Sequence, residues 1–102
     1  MLKFMKLIQA AEQLEALGNP TRLSIFRLLV EAGGQGVPVG EVQKRLKIPA
    51  STLSHHIAKL VQAGMVLQRR ESRTLYCHAD YQSMQRLIGF LVDKCCADDK
   101  CC

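Results

Sequence analysis

The sequence lacks a long hydrophobic run. No stretch of ~18 uncharged apolar residues occurs, so no segment resembles a membrane span. The first 18 residues also lack the pattern of a signal peptide. Lys3, Lys6, Glu12 and Glu15 interrupt them, and no small-residue cleavage site follows. We therefore expect a cytoplasmic protein whose thiols stay reduced and which has no membrane partner.

Internal repeats, low-complexity linkers and a glycine-rich phosphate loop are also absent. The three histidines belong to no recognisable catalytic constellation, so we expect no enzyme activity. With 48% hydrophobic and 23% charged residues, the composition is that of a globular protein and excludes a disordered tail. The length of 102 residues predicts one domain with a thin core, which a partner subunit would help to stabilise.

Acidic residues are scarce in the middle of the chain. Residues 41–73 contain seven lysines and arginines, opposed only by Glu41 and Glu71, which gives a local charge of +5. The whole chain also has a formal net charge of +5, so the remaining residues sum to zero. A basic segment within an otherwise neutral sequence indicates a polyanionic partner, most commonly DNA. The alternative is a solvated basic face without a partner.

Apolar spacing, caps and breakers predict five helices and one hairpin. The helices are expected over about 5–17, from 20 to the glycines at 33 and 34, and over 39–47, 50–62 and 80–94. Short strand-like runs at 66–70 and 73–78 flank Glu71-Ser72 and predict a basic β-hairpin, whereas 36–38 is read as a connector. The fold class is therefore mainly α with a small β-hairpin.

Each helix has an apolar stripe that is expected to be buried. The stripes are Met5, Ile8, Ala11, Leu14 and Leu17; Leu23, Phe26, Leu29 and Val30; Val39, Val42 and Leu46; Leu53, Ile57 and Leu60; and Met84, Leu87, Ile88, Leu91 and Val92.

The helices at 39–47 and 50–62 are separated by a tight break at Ile48-Pro49, which is typical of a helix-turn-helix. With the apolar stripe of the second helix buried, Ser51, Ser54 and His55 point outward near its start, where this motif places its groove-reading residues.

Thr52 and Lys59 lie nearer the flank of this helix and suit the phosphate backbone. The alternative for Ser51 and Thr52 is simple helix capping. His56 falls closer to the buried side and is read as a packing or hydrogen-bonding residue.

Three segments resemble the arsenic-repressor (ArsR/SmtB) family: LGNPTRLSIFRLL at 17–29, VGEVQKRLKIPASTLSHHIAKLVQAGMV at 39–66 and RRESRTLYCH at 69–78. The resemblance implies a winged helix-turn-helix repressor that forms a homodimer through its first and last helices. It implies that Ser51, Ser54 and His55 meet double-stranded operator DNA in the major groove. It further implies that Arg69, Arg70 and Arg73 of the wing contact the DNA backbone or minor groove.

The sequence departs from the family pattern at several places. Ser72 replaces the usual hairpin glycine, and Ala50 replaces a glutamine often found early in the recognition helix. The helix at 39–47 has no C-x-C pair, and the segment 80–94 has no histidine for the family's zinc site. Both common sensor sites are therefore missing.

Five cysteines are present, and four of them form two adjacent pairs near the C-terminus. Cys77 is expected to be a small buried residue of the wing strand. Adjacent Cα atoms lie ~3.8 Å apart, below the usual disulfide range of ~4.4–6.8 Å, so neither pair is expected to form a disulfide within itself. Under oxidising conditions, a disulfide that links one pair to the other is an alternative.

A soft ion needs several converging thiolates, which the segment 95–102 can supply after a turn at Asp98-Asp99. The smallest site that uses both pairs contains Cys95, Cys96 and Cys102, with Cys101 as the alternative third ligand. Three thiolates suit trivalent arsenic or antimony and give a neutral site, whereas four thiolates on Zn²⁺ give a negative one beside two aspartates.

The sequence thus predicts a DNA-binding and dimerisation domain at 1–94 and a cysteine-rich inducer segment at 95–102. DNA binding requires no cofactor, and arsenite or antimonite is the expected inducer that releases a homodimeric repressor from its operator. Alternatives with the same fold are a thiol redox sensor and a Cd, Pb or Zn sensor. A winged helix used only for protein contacts is a third hypothesis, against which the basic segment argues.

Overall fold

The computed structural model describes residues 6–98 and contains five helices and three short strands in this part of the chain. In chain order they are α1 (Leu7–Leu17), α2 (Pro20–Ala32), β1 (Val37–Pro38), α3 (Val39–Leu46), α4 (Ala50–Gln62), β2 (Val66–Glu71), β3 (Thr74–Ala79) and α5 (Tyr81–Val92). The predicted order of helices and the hairpin is confirmed. None of these helices is long and apolar enough to cross a membrane.

Local capping signals explain where two of the helices begin. The Asn19 side chain accepts a hydrogen bond of 3.0 Å from the backbone N–H of Arg22, and Pro20 occupies the first turn of α2. The Asp80 carboxylate accepts a bond of 3.1 Å from the N–H of Ser83 at the start of α5. Both caps were predicted, and both helices begin where they indicate.

The hairpin is part of a three-stranded antiparallel sheet with the order β1-β3-β2. Strands β2 and β3 pair in a register that sets Val66 opposite Ala79 and Glu71 opposite Thr74. The segment read as a connector contains β1, whose Val37 pairs with Cys77 of β3. The prediction of a hairpin alone was therefore incomplete. A strand of two residues is too short to show an alternating apolar and polar pattern, so it is specified only by its pairing with a distant strand.

The core lies where α2 and α4 pack against each other and against the sheet. Fully buried side chains from these elements are Ile25, Leu29, Leu53, Leu60, Val66 and Cys77, and Met65 just before β2 is buried with them. The predicted stripe of α4 is confirmed, since Leu53, Ile57 and Leu60 are all buried. In α2 the prediction was wrong for Leu23, which is 43% exposed, and it missed Ile25.

The outer helices bury little of their predicted stripes within one subunit. In α1 the buried residues are Ala10, Gln13 and Ala16, whereas Ile8 and Leu14 are exposed. In α5 only Leu87 of the stripe is buried, and Ile88, Leu91 and Val92 are more than half exposed. Side chains of α1, α2 and α5 line an open, mainly apolar groove of about 890 Å³. Apolar surface of this kind marks an interaction face.

Candidate nucleic-acid interface and thiol site

A left-handed residue makes the turn between α3 and α4. Lys47 has φ of 55°, and its N–H donates to the carbonyl of Gln43 at 2.8 Å. This residue ends α3, and Ile48 and Pro49 then lead directly into α4. The two helices are thus joined by three residues, as the helix-turn-helix prediction requires.

The outward face of α4 presents polar side chains to solvent. Ser51, Ser54 and His55 are exposed, and so is Thr52. The residue before the helix is Pro49, which provides no side-chain cap. No hydroxyl of these residues takes part in a side-chain hydrogen bond within residues 6–98, so the capping alternative for Ser51 and Thr52 is not confirmed. Their hydroxyls are available to an external ligand.

Lys59, on the flank of α4, already lies near a carboxylate of the same subunit. Lys59 is half-buried, and its Nζ lies 4.0 Å from Oε2 of Glu15 on α1. The pair is long and largely exposed, so it contributes little to stability and leaves the ammonium able to turn towards an anion.

Arg22 of α2 is buried and joins three elements, a role that the sequence analysis missed. Its Nε donates to the carbonyl of Ala16 at 2.6 Å, and its Nη2 lies 3.5 Å from the carbonyl of Glu15. Its Nη1 lies 3.3 Å from Nδ1 of His56 on α4. The prediction that His56 is a packing or hydrogen-bonding residue is confirmed. The N-P-T-R-L segment marks the start of the helix but carries no signal that its arginine is buried.

Burial lowers the pKa of His56 below its ordinary value of 6.5, and the nearby positive charge of Arg22 lowers it further. His55 and Lys59 act in the same direction. The His56 imidazole is therefore held in its neutral form beside the guanidinium.

The wing turns at Ser72, which has φ of 58°. Serine thus adopts the left-handed conformation that glycine usually supplies, and the two-residue turn is kept despite the substitution. Arg70 and Arg73 are exposed near the tip. Neither forms an ion pair or side-chain hydrogen bond within the described residues.

Arg69 differs from the other two arginines because it is held within the subunit. Its Nε lies 2.8 Å from Oε2 of Glu71, and its guanidinium carbon lies 4.8 Å from the centre of the Tyr76 ring. Nη2 donates to the carbonyl of Gln35 at 3.2 Å. Arg70 and Arg73 are consequently the wing cations most free to contact an anion.

Cys77 is fully buried on β3, as predicted. Burial raises the pKa of its thiol, and a hydrogen bond from Gln68, with Nε2 3.6 Å from Sγ, partly offsets this effect. A buried thiol with a raised pKa is a poor nucleophile and metal ligand, which separates Cys77 from the cysteines after α5.

The chain leaves helical geometry before it reaches Cys95. Helix α5 ends at Val92, and Lys94 and Cys96 have φ of 61° and 58°. These turns bring Sγ of Cys95 within 3.6 Å of Sγ of Cys96 in an exposed part of the structure. Cys96 is disulfide-bonded, so it must be reduced before its sulfur can bind an ion.

The complete ligand set cannot be assembled from the described residues. Between residues 6 and 98, no group of three or more Cys, His, Asp and Glu side chains converges on a common point. The third ligand of the predicted site, Cys102 or Cys101, lies outside the described residues. The predicted site, including Cys95 and Cys96, therefore stays a prediction.

A family model described as a helix-turn-helix domain matches residues 17–69. A transcriptional regulator of Methanocaldococcus jannaschii is 44% identical over 63 residues, which cover 62% of this chain and 68% of the relative. The transcriptional activator HlyU of Vibrio cholerae is 31% identical over 83 residues, covering 81% and 74%. A putative arsenical resistance operon repressor of Halobacterium salinarum is 35% identical over 79 residues, covering 78% and 57%.

Solved structures agree with this relationship. An ArsR-family transcriptional regulator superposes with a TM-score of 0.74 at 20% identity, covering 88% of this chain and 90% of the other, which shows a shared fold. The homodimeric winged helix-turn-helix DNA-binding domain of Mb0332 from Mycobacterium bovis has a TM-score of 0.68 at 27% identity, covering 87% and 82%. The chain is a winged helix-turn-helix transcriptional regulator of the ArsR family.

Proposed function

We propose that the chain acts as a homodimeric repressor that binds an inverted-repeat operator and is released when trivalent arsenic or antimony binds its C-terminal thiolates. The observation that carries the proposal is the close pair of sulfurs of Cys95 and Cys96, which directly follows a helix with an unburied apolar face. This arrangement joins a candidate sensor to a candidate subunit interface. The argument has three steps: DNA contact, dimerisation and release.

The DNA-contacting surface consists of the outward face of α4 and the tip of the wing. Ser54 and His55 are exposed in the first two turns of α4 and can bond to base edges in the major groove. Arg70 and Arg73 supply uncompensated positive charge for phosphates on the neighbouring part of the duplex. The surface combines direct readout with backbone contact, as specific DNA recognition requires.

Dimerisation uses the apolar groove and the exposed apolar side chains of α1 and α5. Ile8, Leu14, Ile88 and Leu91 are all more than 40% exposed in the single subunit. A second copy that covers them by two-fold symmetry would also present two recognition helices to successive major grooves. The homodimeric Mb0332 domain supports this arrangement by its similarity.

Two adjacent thiolates suit a soft ion. The sulfurs of Cys95 and Cys96 lie 3.6 Å apart, so reduction of Cys96 would leave two neighbouring thiolates for one such ion. The nearby carboxylates of Asp93 and Asp98 disfavour the doubly negative site that four thiolates and Zn²⁺ would form. A neutral three-thiolate site for arsenic or antimony avoids this repulsion. The similarity to an arsenical resistance repressor supports the same inducer.

Release follows from the position of the thiols next to α5. Binding of an ion by the thiolates of 95–102 would change the surroundings of the last turn of α5 and hence the preferred geometry of the dimer. Coupling between two such sites is typically about 1–3 kcal/mol and is reciprocal, so DNA must weaken arsenic binding by the same factor.

One observation favours a second candidate, a thiol redox sensor. Cys96 is disulfide-bonded, which supports oxidation of this thiol as a signal. In that case oxidation, rather than an added ion, would change the dimer and the operator affinity.

An operator-release panel distinguishes the candidates. The protein first selects its operator from random duplexes, and release of the labelled operator is followed by fluorescence anisotropy. Arsenite, antimonite, Cd²⁺, Pb²⁺ and Zn²⁺ are titrated with a phosphine reductant present, and peroxide is titrated without it. Release by arsenite and antimonite at lower concentrations than the divalent ions supports the proposal. Release by peroxide alone supports the redox sensor, and failure to select any operator contradicts both.

A further inference from the structure

The contact between Arg22 and His56 fixes the protonation state of the histidine. A guanidinium group has five N–H donors and no acceptor, so Nδ1 of His56 at 3.3 Å must carry a lone pair. His56 is then neutral and carries its single ring proton on Nε2. The short contact thus assigns both the charge and the tautomer of a residue on the recognition helix.

The same arginine is anchored at the end of α1. It donates at 2.6 Å to the carbonyl of Ala16, one of the last carbonyls of α1, which lack partners within the helix. The side chain of Arg22 is almost fully buried, with 7% of the residue exposed. Buried, charge-assisted hydrogen bonds of this kind hold a rigid geometry, because breaking one leaves a buried charge unsatisfied.

A second buried polar link joins the same two helices. Gln13 of α1 donates through Nε2 to the carbonyl of Ala63, the residue that follows α4, at 3.0 Å. Gln13 is 1% exposed, and its Oε1 has no hydrogen-bond partner within the described residues. The recognition helix is therefore tied to α1 near its middle through Arg22 and at its end through Gln13.

We propose that Arg22 is a positioning residue that holds the recognition helix through neutral His56, so that operator selectivity falls when His56 gains a proton. This inference rests on the proposed function, since it assumes that α4 reads an operator. Protonation removes the acceptor on Nδ1 and sets an imidazolium against a guanidinium. The ring must move away from Arg22, and the recognition helix loses the link that holds it near its middle.

The charged and titratable groups that affect His56 all act in the same direction. Arg22 on α2 and His55 and Lys59 on α4 oppose its protonation. Glu15 on α1 is paired with Lys59 at 4.0 Å. A proton on His56 also adds positive charge near the DNA surface, which strengthens binding to any duplex. That charge effect raises both affinities and cancels in their ratio, so a fall in the ratio of operator affinity to random-DNA affinity reports the loss of the Arg22 contact.

The test compares two variants that differ only at His56. His55 is a second imidazole, exposed on the proposed DNA face, so it is replaced in both: one variant is His55→Asn and the other is His55→Asn with His56→Asn. Asparagine keeps an acceptor oxygen close to the position of Nδ1 but does not titrate. The affinities for operator and for random DNA are measured at constant salt from about pH 7.5 to about pH 5.

In the His55→Asn protein the selectivity ratio should fall about fivefold as the pH is lowered, which corresponds to about 1 kcal/mol, the size of one lost hydrogen bond. In the double variant the ratio should stay constant, because the asparagine acceptor replaces Nδ1. Equal pH profiles for the two variants overturn the inference while leaving the proposed function intact. An unmodified protein that binds operator and random DNA alike at every pH contradicts the proposed function itself.

A measurement on the unmodified protein keeps the inference testable if the double variant does not fold. Two-bond ¹H–¹⁵N spectra of the imidazole rings report the tautomer and charge of each histidine. At about pH 7, His56 should be neutral, with its proton on Nε2 and an unprotonated Nδ1. A charged ring, or a proton on Nδ1, is incompatible with the Arg22 contact and overturns the inference.

Discussion

The hydroxyl oxygen of Tyr81 lies 3.2 Å from the carbonyl oxygen of Leu29. It also lies 3.1 Å from the carbonyl oxygen of Val30, so its one proton is shared between two carbonyls in the last turn of α2. The carbonyl of Leu29 also accepts a backbone bond of 3.3 Å from Gly33, the residue that caps the end of α2. The bond fixes the first residue of α5 to the end of α2 and thereby orients the helix whose outer face is proposed to form the dimer.

We expect Tyr81→Phe to lower the free energy of unfolding by about 0.5–1.5 kcal/mol, because it removes this partly buried hydrogen bond and keeps the ring. Urea unfolding at fixed protein concentration measures the change. Tyr76→Phe is the matched control, since the Tyr76 hydroxyl has no hydrogen bond to any described residue. It should change the value by no more than about 0.5 kcal/mol. Equal effects of the two changes would contradict the assignment.

Base reading by α4 is tested with Ser54→Ala. The variant should bind the selected operator about 1–3 kcal/mol more weakly and random DNA almost unchanged, because it loses a base contact. Its fold should survive, since Ser54 is exposed. Ser24→Ala, an exposed serine on α2, serves as the control and should leave both affinities unchanged. An equal loss on both duplexes would instead identify Ser54 as a phosphate contact. The same comparison applies to His55→Ala.

The wing arginines should act on all DNA alike. Arg70→Ala or Arg73→Ala should weaken operator and random DNA equally and reduce the slope of log affinity against log salt by about one unit. Arg69→Ala should reduce this slope less, because Glu71 and Tyr76 already hold its guanidinium. Arg86→Ala on α5 controls for the loss of one charge. An unchanged slope for Arg70→Ala and Arg73→Ala would exclude them from the interface.

His56 should make the stability of the protein depend on pH. Its pKa is lowered in the folded state, mainly by burial and Arg22, from the ordinary value of 6.5. As the pH falls through that ordinary value, the unfolded chain takes up the proton first, so the free energy of unfolding decreases. The decrease ends below the lowered folded-state pKa. Chemical denaturation between about pH 7.5 and pH 5 should show a steeper loss for the unmodified protein than for His56→Asn. Parallel curves would show that His56 is not held neutral.

Much of the fold could be predicted because its boundaries depend on local signals. Asn19-Pro20 and Asp80 begin helices through their own side chains, and the structure places both starts where these residues indicate. The outward face of α4 was predictable for the same reason, since a single well-buried stripe of Leu53, Ile57 and Leu60 fixes the helix rotation.

The remaining features depend on contacts between distant residues. The strand β1 forms only because Val37 meets Cys77 forty positions later. Arg22 is buried against backbone carbonyls, which have no sequence signature, so charge alone assigns it to the surface. The exposed Leu23 shows a further limit, because helical periodicity does not distinguish a core position from a position on an interaction face.

The most direct test of the account is arsenite release from the operator by the variant with Cys95→Ser and Cys96→Ser. Serine preserves size and polarity but provides no thiolate, and both residues follow α5, outside the DNA-contacting elements. Under a phosphine reductant, the variant should bind the operator as the unmodified protein does and remain bound when arsenite is added. Cys77→Ser is the control and should still be released, because that thiol is buried on β3. Release of the double variant at the same arsenite concentration as the unmodified protein would contradict the account.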